Sequence, residues 1–194
     1  MLEGIIAKRS SGPFVGGSAG DDLKFKNTCV FFDGEALTDA AVLAVIETAT
    51  PFEIVKTQSF RKLDRTLVAT KVDEGKRLVI EFNDKPAVEA YAEALGIEPG
   101  ELPNHFMSHP VGLMVEGDAF VRSPQRVEGT SLYFYCAILK GMELSLLEST
   151  DIVADTSKAI GEVASPVAML NFNCILRTLE LKQKGQCEAY GRIF

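Results

Sequence analysis

Thr66-Leu67-Val68-Ala69-Thr70-Lys71-Val72-Asp73-Glu74-Gly75-Lys76-Arg77-Leu78-Val79-Ile80-Glu81-Phe82 contains two apolar, β-branched runs parted by a short polar turn. Runs of this length around a glycine turn predict a β-hairpin, with Gly75 supplying the positive φ that a tight turn requires. The reading commits the middle of the chain to antiparallel pairing. A helix is predicted immediately downstream. Asn83 or Asp84 can cap it, and Pro86 suits a first turn whose amide has no intrahelical partner. Val88, Tyr91, Ala92 and Leu95 recur at i, i+3, i+4 and i+7, and Gly96 ends the pattern.

Further along, Val111–Val115, Phe120–Val127, Ser131–Leu139 and Met142–Leu147 read as strands separated by glycine turns. The Ser131–Leu139 run is apolar on both faces, which places it inside a layered structure. A helix is predicted over Asp151–Val163, with caps at Ser149 and Thr150, and a strand over Val167–Cys174. Helix is expected from Ile175 onward, carrying a Glu180/Lys184 pair at i, i+4. Upstream, Thr28–Asp33 ends in the turn signal Asp33-Gly34, and Ala40–Ile46 and Pro51–Thr57 read as strands. A cluster of breakers, Ser10 to Pro13, precedes them. The fold class that follows is α/β of the α+β kind: mixed, largely antiparallel sheets with interspersed helices in a layered sandwich. Ile97–Asn104, rich in proline, is the expected boundary, which divides the chain into residues 1–98 and 105–194. A short echo between Cys29–Ala36 and Leu113–Phe120 allows two related halves.

Composition narrows the function classes. With 46% hydrophobic and 24% charged residues, the 194-residue chain has the make-up of a globular domain with a real core. Twenty basic against 27 acidic residues leave a net charge of −7, which argues against nucleic acid or an anionic membrane surface as partner. No apolar run reaches the roughly 20 residues of a membrane span, and the first nine residues lack the order of a secretory signal. The four cysteines are far apart without a CxxC pair, as in a reduced, cytoplasmic protein.

The chemistry-bearing residues are few. Gly16-Gly17-Ser18-Ala19-Gly20 matches G-x-S-x-G, but that motif works only on a sharp strand-to-helix turn, which the flanking sequence does not supply. A glycine turn is the plainer reading. His105 and His109 are the only histidines. Imidazole serves as a metal or haem ligand and as a base, yet Pro110 disfavours helix at His109, and no HExxH or Cys/His cluster supports zinc. Cys174 is expected at the start of a helix, where the amino-terminal field and nearby Arg177 favour thiolate; a small buried hydrophobe is the alternative. Asn171 and Asn173 share a strand face that is either a pocket lining or solvated. Arg122, Arg126 and Arg177 can anchor carboxylates or make ordinary surface pairs. No acid, base and oxyanion set accompanies Cys174, so a thiol enzyme ranks below binding, whether of a small ligand or of a protein partner.

Three stretches carry a family resemblance: Gly16-Gly17-Ser18-Ala19-Gly20-Asp21-Asp22, the run from His109-Pro110-Val111-Gly112 to Val121-Arg122-Ser123, and Phe172-Asn173-Cys174-Ile175-Leu176-Arg177. Together the chain resembles the FIST family of intracellular sensory domains. Residues 1–98 are similar to the later part of the family's amino-terminal region and residues 105–194 to the front of its carboxy-terminal region. The family pattern continues on both sides, so the chain is expected to be a core lacking flanking segments. The resemblance implies a non-enzymatic module that binds small ligands such as amino acids. One bacterial branch is described as haem-binding nitric oxide sensors acting on histidine kinases or cyclic-di-nucleotide enzymes, and the surroundings of His109, Cys136, Cys174 and Arg177 resemble it. It implies His109 as the metal (haem iron) ligand, with Cys174, Arg177, Asn173 and Arg122 beside the ligand. A eukaryotic branch joined to an F-box implies a protein-binding surface.

Overall fold

The computed structural model describes residues 7, 13–21, 23–24 and 26–194. Most of the Ser10–Pro13 breaker cluster lies outside them. The elements in chain order are β1 (Val30–Phe32), β2 (Glu35–Leu37), β3 (Phe60–Asp73), β4 (Leu78–Phe82), β5 (Lys85–Pro86) and α1 (Ala87–Leu95). A 3-10 segment, Pro99–His105, leads to β6 (Val111–Val115), β7 (Asp118–Arg122), β8 (Pro124–Glu128), β9 (Ser131–Phe134) and β10 (Glu143–Ser149). Three helices close the chain: α2 (Ile152–Gly161), α3 (Ile175–Gln183) and α4 (Cys187–Gly191). The contacts divide it into two compact units, residues 1–53 with 168–172, and residues 54–167 with 173–194.

The smaller unit holds the β1–β2 hairpin, paired Val30 to Leu37 and Phe32 to Glu35. Asp33 and Gly34 form its two-residue turn with φ of 50° and 79°. Positive φ at both central residues is the turn whose twist matches that of the strands. In the larger unit Glu116 (φ 52°) and Gly117 (φ 91°) do the same between β6 and β7. The Cys29–Ala36 and Leu113–Phe120 echo is therefore one turn chemistry used twice.

The larger unit is an antiparallel sheet of eight strands in the order β7-β6-β10-β3-β4-β9-β8, with β5 beside β4. The 14-residue β3 organises it, pairing with β10 along Phe60–Val68 and with β4 along Ala69–Asp73. β7 and β8 end the strand order yet are separated in sequence by Ser123 alone, so the sheet curls until it is nearly a barrel. This is the mixed α+β class with a largely antiparallel sheet that the sequence predicts.

α1 packs against β3, β4 and β9. Its Tyr91 is fully buried and meets Phe82 edge-on at 6.3 Å between ring centroids; Phe82 meets Phe134 in the same way at 6.3 Å. Burying side chains of this size contributes about 1.5–3 kcal/mol each. Gly96 ends α1 in the left-handed region, its amide directed at the Ala92 and Glu93 carbonyls.

Several local expectations are corrected. In the β3–β4 connection the left-handed residue is Arg77 (φ 56°), not Gly75; Arg77 tolerates it because its guanidinium donates to the Tyr135 carbonyl at 2.7 Å. Asn83 and Asp84 form the left-handed turn between β4 and β5 rather than a helix cap, and Pro86 itself precedes α1. The Phe120–Val127 run is broken at Ser123 into β7 and β8, and Ser131–Leu139 pairs only to Phe134. Asp151 caps α2, accepting from the Val153 and Ala154 amides. No strand forms over 40–46, 51–57 or 167–174; Leu43, Val45, Phe52, Val167 and Leu170 are exposed there. A strand needs a neighbour to take its amide and carbonyl groups, and among the described residues none pairs with these segments. The Ile97–Asn104 stretch folds largely as the 3-10 segment, with Leu102 fully buried against α1.

Candidate functional site

His109 follows the 3-10 segment, its amide donating to the His105 carbonyl at 2.8 Å before Pro110 turns the chain into β6. The two imidazoles come together without a helix, their centroids 5.6 Å apart. His109 Nδ1 lies 2.9 Å from Ser108 Oγ, and Nε2 faces Glu148 Oε1 of β10 at 3.9 Å. The other oxygen of Glu148 is held by the Arg61 guanidinium. Burial lowers the His109 pKa, and His105 lowers it further, against an opposing pull from Glu148.

Three expected site residues meet at the start of α3. Asn173 donates to Thr178 Oγ1 at 2.8 Å and accepts from the Tyr190 hydroxyl of α4 at 3.3 Å. Cys174 precedes the helix, is exposed and makes no side-chain capping bond. Burial raises the pKa of Tyr135, and the nearby Cys174 side chain adds to the rise. Arg177 turns inward, donating to Thr156 Oγ1 at 2.7 Å and Ser59 Oγ at 3.5 Å, with its guanidinium 5.9 Å from the Tyr190 ring centroid. Thr156 and Ser59 are each only 2% exposed.

Arg122 ends β7 and donates to the carbonyls of Phe120 (3.3 Å) and Val121 (3.2 Å). Its Nε is buried with no hydrogen-bond partner among the described residues. Burial raises the Cys136 thiol pKa, and the positive charges of Arg122 and Arg77 pull it back. Ser18 lies in exposed coil and the described residues just before it, 13–17, are coil as well, so the G-x-S-x-G stretch has no elbow geometry there.

Two clefts lie in the larger unit among the described residues. One, of about 280 Å³, lies between residues 56–58 and α2 and is lined by Lys56, Thr57, Gln58, Asp155, Lys158, Ala159 and Glu162. Gln58 Oε1 is buried there without a partner. Lys56 is engaged by Asp118 at 3.0 Å and by the Phe120 ring at 4.1 Å, and Asp155 accepts from the Thr150 hydroxyl at 2.6 Å. Lys158 and Glu162 form no ion pair among the described residues. The other cleft, of about 200 Å³, is lined by Asn104, Met107, Ser108, Glu180, Gln183 and Lys184. Glu180 is nearly buried, accepting from Ser149 and pairing with Lys184 at 2.6 Å. None of the five expected site residues lines either cleft. Among the described residues no group of three His, Cys, Asp or Glu is placed to hold a metal ion. Nor is any helix long and apolar enough to cross a membrane.

Sequence reasoning passed over the first cleft because its walls are about a hundred positions apart and none of its residues belongs to a motif.

Residues 1–85 match the FIST N domain and residues 87–193 the FIST C domain. The chain belongs to the FIST family of sensory, signal-transduction domains. It is also similar to an uncharacterized protein of Methanocaldococcus jannaschii, at 28% identity over 189 residues covering 86% of this chain and 36% of that protein. The chain thus spans about a third of the length of this relative. No solved structure matches it.

Proposed function

We propose that the chain is a non-enzymatic sensory module that binds a small zwitterion of amino-acid size in the cleft between residues 56–58 and α2. The observation that carries this reading is the lining: charges of both signs on the same cleft as Gln58, whose buried amide oxygen has no partner among the described residues. A buried acceptor left unpaired costs about 1–3 kcal/mol, which a ligand ammonium would recover once the Gln58 amide turns into the cleft. Glu162 would share that ammonium and Lys158 would hold the carboxylate. A cleft of about 280 Å³ stands at the lower edge of small-molecule sites, which run from about 300 Å³ upward.

Haem remains the other candidate ligand: His109, with Nδ1 beside Ser108 Oγ at 2.9 Å, would supply the iron donor, although it lines neither of the two clefts described above. Occupancy would be relayed, in the cytoplasm, to a signalling enzyme such as a histidine kinase or a cyclic-di-nucleotide enzyme.

Calorimetric titration with single L-amino acids tests the reading. At least one is expected to bind, with affinity reduced at least tenfold in Lys158→Ala and in Gln58→Leu. Titrations flat for every amino acid, or affinity unchanged in both variants, would remove the cleft from the role. A Soret band on adding haem that disappears in His109→Ala would move the ligand to His109.

A second reading, the protein-binding adaptor, is favoured by the exposed apolar side chains Leu43, Val45, Phe52, Leu170 and Phe172, of a kind that marks protein contacts. Partner capture independent of added amino acids supports it.

A further inference from the structure

We infer that Arg177 is the positioning residue that ties the two walls of the proposed ligand cleft to α3, so that occupancy of the cleft is felt as a shift of that helix. The inference rests on the cleft reading above and adds the route by which the cleft reports.

The first wall is the strand lead-in, where Gln58 faces the cleft and Ser59, the next residue, is buried behind it. The second wall is α2, where Asp155 and Lys158 face the cleft and Thr156 is buried. Each wall thus shows its ligand-facing side chains to the cleft and one hydroxyl to the interior. Both hydroxyls are met by one guanidinium: Arg177 donates to Thr156 Oγ1 at 2.7 Å and to Ser59 Oγ at 3.5 Å. A guanidinium is a rigid planar fork, so a change in wall separation strains or breaks one of its two bonds and alters the pull on the helix that carries it. The unequal lengths place the tight bond on α2 and the loose one on the strand side. A ligand drawing Lys158 toward Gln58 would close the loose bond. Arg177 also stands over the Tyr190 ring at 5.9 Å, which extends the connection to α4. The walls are also linked through Thr150, whose amide donates to the Ser59 carbonyl at 2.9 Å and whose hydroxyl donates to Asp155 in the first turn of α2 at 2.6 Å; this link bypasses α3, so the coupling to α3 runs through Arg177.

The test needs no identified ligand. Ala159→Trp places an indole in the cleft of the full chain and forces the walls apart. Amide hydrogen exchange is then followed across residues 176–183. Exchange in α3 is expected to rise about tenfold, within the usual range of coupling between sites. In Arg177→Met, and independently in Thr156→Val, which keeps Arg177 and the shape of the buried side chain, the same Ala159→Trp change is expected to alter α3 exchange less than twofold. Arg177→Lys, which keeps the charge but loses the fork, is expected to behave as Met does. Unchanged exchange in β3 and β10 certifies that each variant is folded. An α3 that ignores Ala159→Trp, or one that responds equally with and without Arg177, overturns the inference. Coupling that persists while every amino acid fails to bind would sink the ligand reading and leave the connection standing.

Discussion

The hydroxyl of Tyr91, at the centre of the core, donates to the main-chain carbonyl of His109 at 2.7 Å and so joins α1 to the segment that positions the histidine. The ring is buried on all sides, and this bond satisfies its polar tip. Tyr91→Phe keeps the shape and strands a carbonyl. Urea denaturation should show a loss of about 1–3 kcal/mol. A loss below about 0.5 kcal/mol would mean that water takes over the carbonyl. Burial also raises the Tyr91 pKa well above its usual 10.0. The folded state therefore holds this proton more tightly than the unfolded one, and stability present below pH 10 should fall as pH rises beyond it. Tyr91→Phe should remove that part of the alkaline slope.

His109 predicts an acid-side effect of the opposite sign. Its folded pKa lies below the ordinary 6.5, first because of burial. The unfolded chain therefore takes up the proton first as pH falls. Stability is full above the unfolded value and declines from about pH 6.5 down to the lowered folded value, below which this contribution is flat. Glu148, with Arg61 on its far oxygen, and His105 are the charged groups that face the ring, so the slope includes their response. His109→Asn, measured by denaturation between pH 5 and about 7.5, is expected to flatten the curve. An identical slope in the variant would assign the titration elsewhere.

Gly112 is placed for closeness rather than for turning. A Cβ there would stand 2.7 Å from Leu147 Cδ1, and Leu147 is itself fully buried on neighbouring β10. Gly112→Ala should cost about 1–3 kcal/mol through overpacking, read as a lowered denaturation midpoint. Adding Leu147→Ala should return part of the loss in the double variant, because the small pocket it opens receives the new methyl.

Asp151 begins the helical wall of the cleft. Its carboxylate accepts from the Val153 amide at 2.9 Å and the Ala154 amide at 3.0 Å. Asp151→Ala should lower stability by about 0.5–2 kcal/mol and raise amide exchange in the first turn of α2. Exchange confined to the parent's rate would show that the cap is redundant.

The β3–β4 hairpin and α1 were legible because each depends on residues near one another in the chain. Alternation marks a pleated strand, the i, i+3, i+4 spacing marks a helix face, and Gly96 sits where only a left-handed residue ends the helix well. The start of β3 was not legible. Residues 60–65 carry three basic and one acidic side chain, yet they are strand because β10 arrives beside them from some eighty residues away. The same absence of local information worked in reverse at 40–46, 51–57 and 167–174, where strand-like composition meets no partner among the described residues. Propensity reports what a segment tolerates, and pairing decides what it becomes.

At the site the division is similar. The motifs bearing His109, Cys174 and Arg177 were visible as words in the chain and identified the family. The tertiary structure alone brought Gln58, Lys158 and Glu162 around one cleft and turned Arg177 inward onto Ser59 and Thr156. Residue type states which bonds a side chain is able to make. Which of them form depends on a burial and a neighbour that exist only once distant segments have packed.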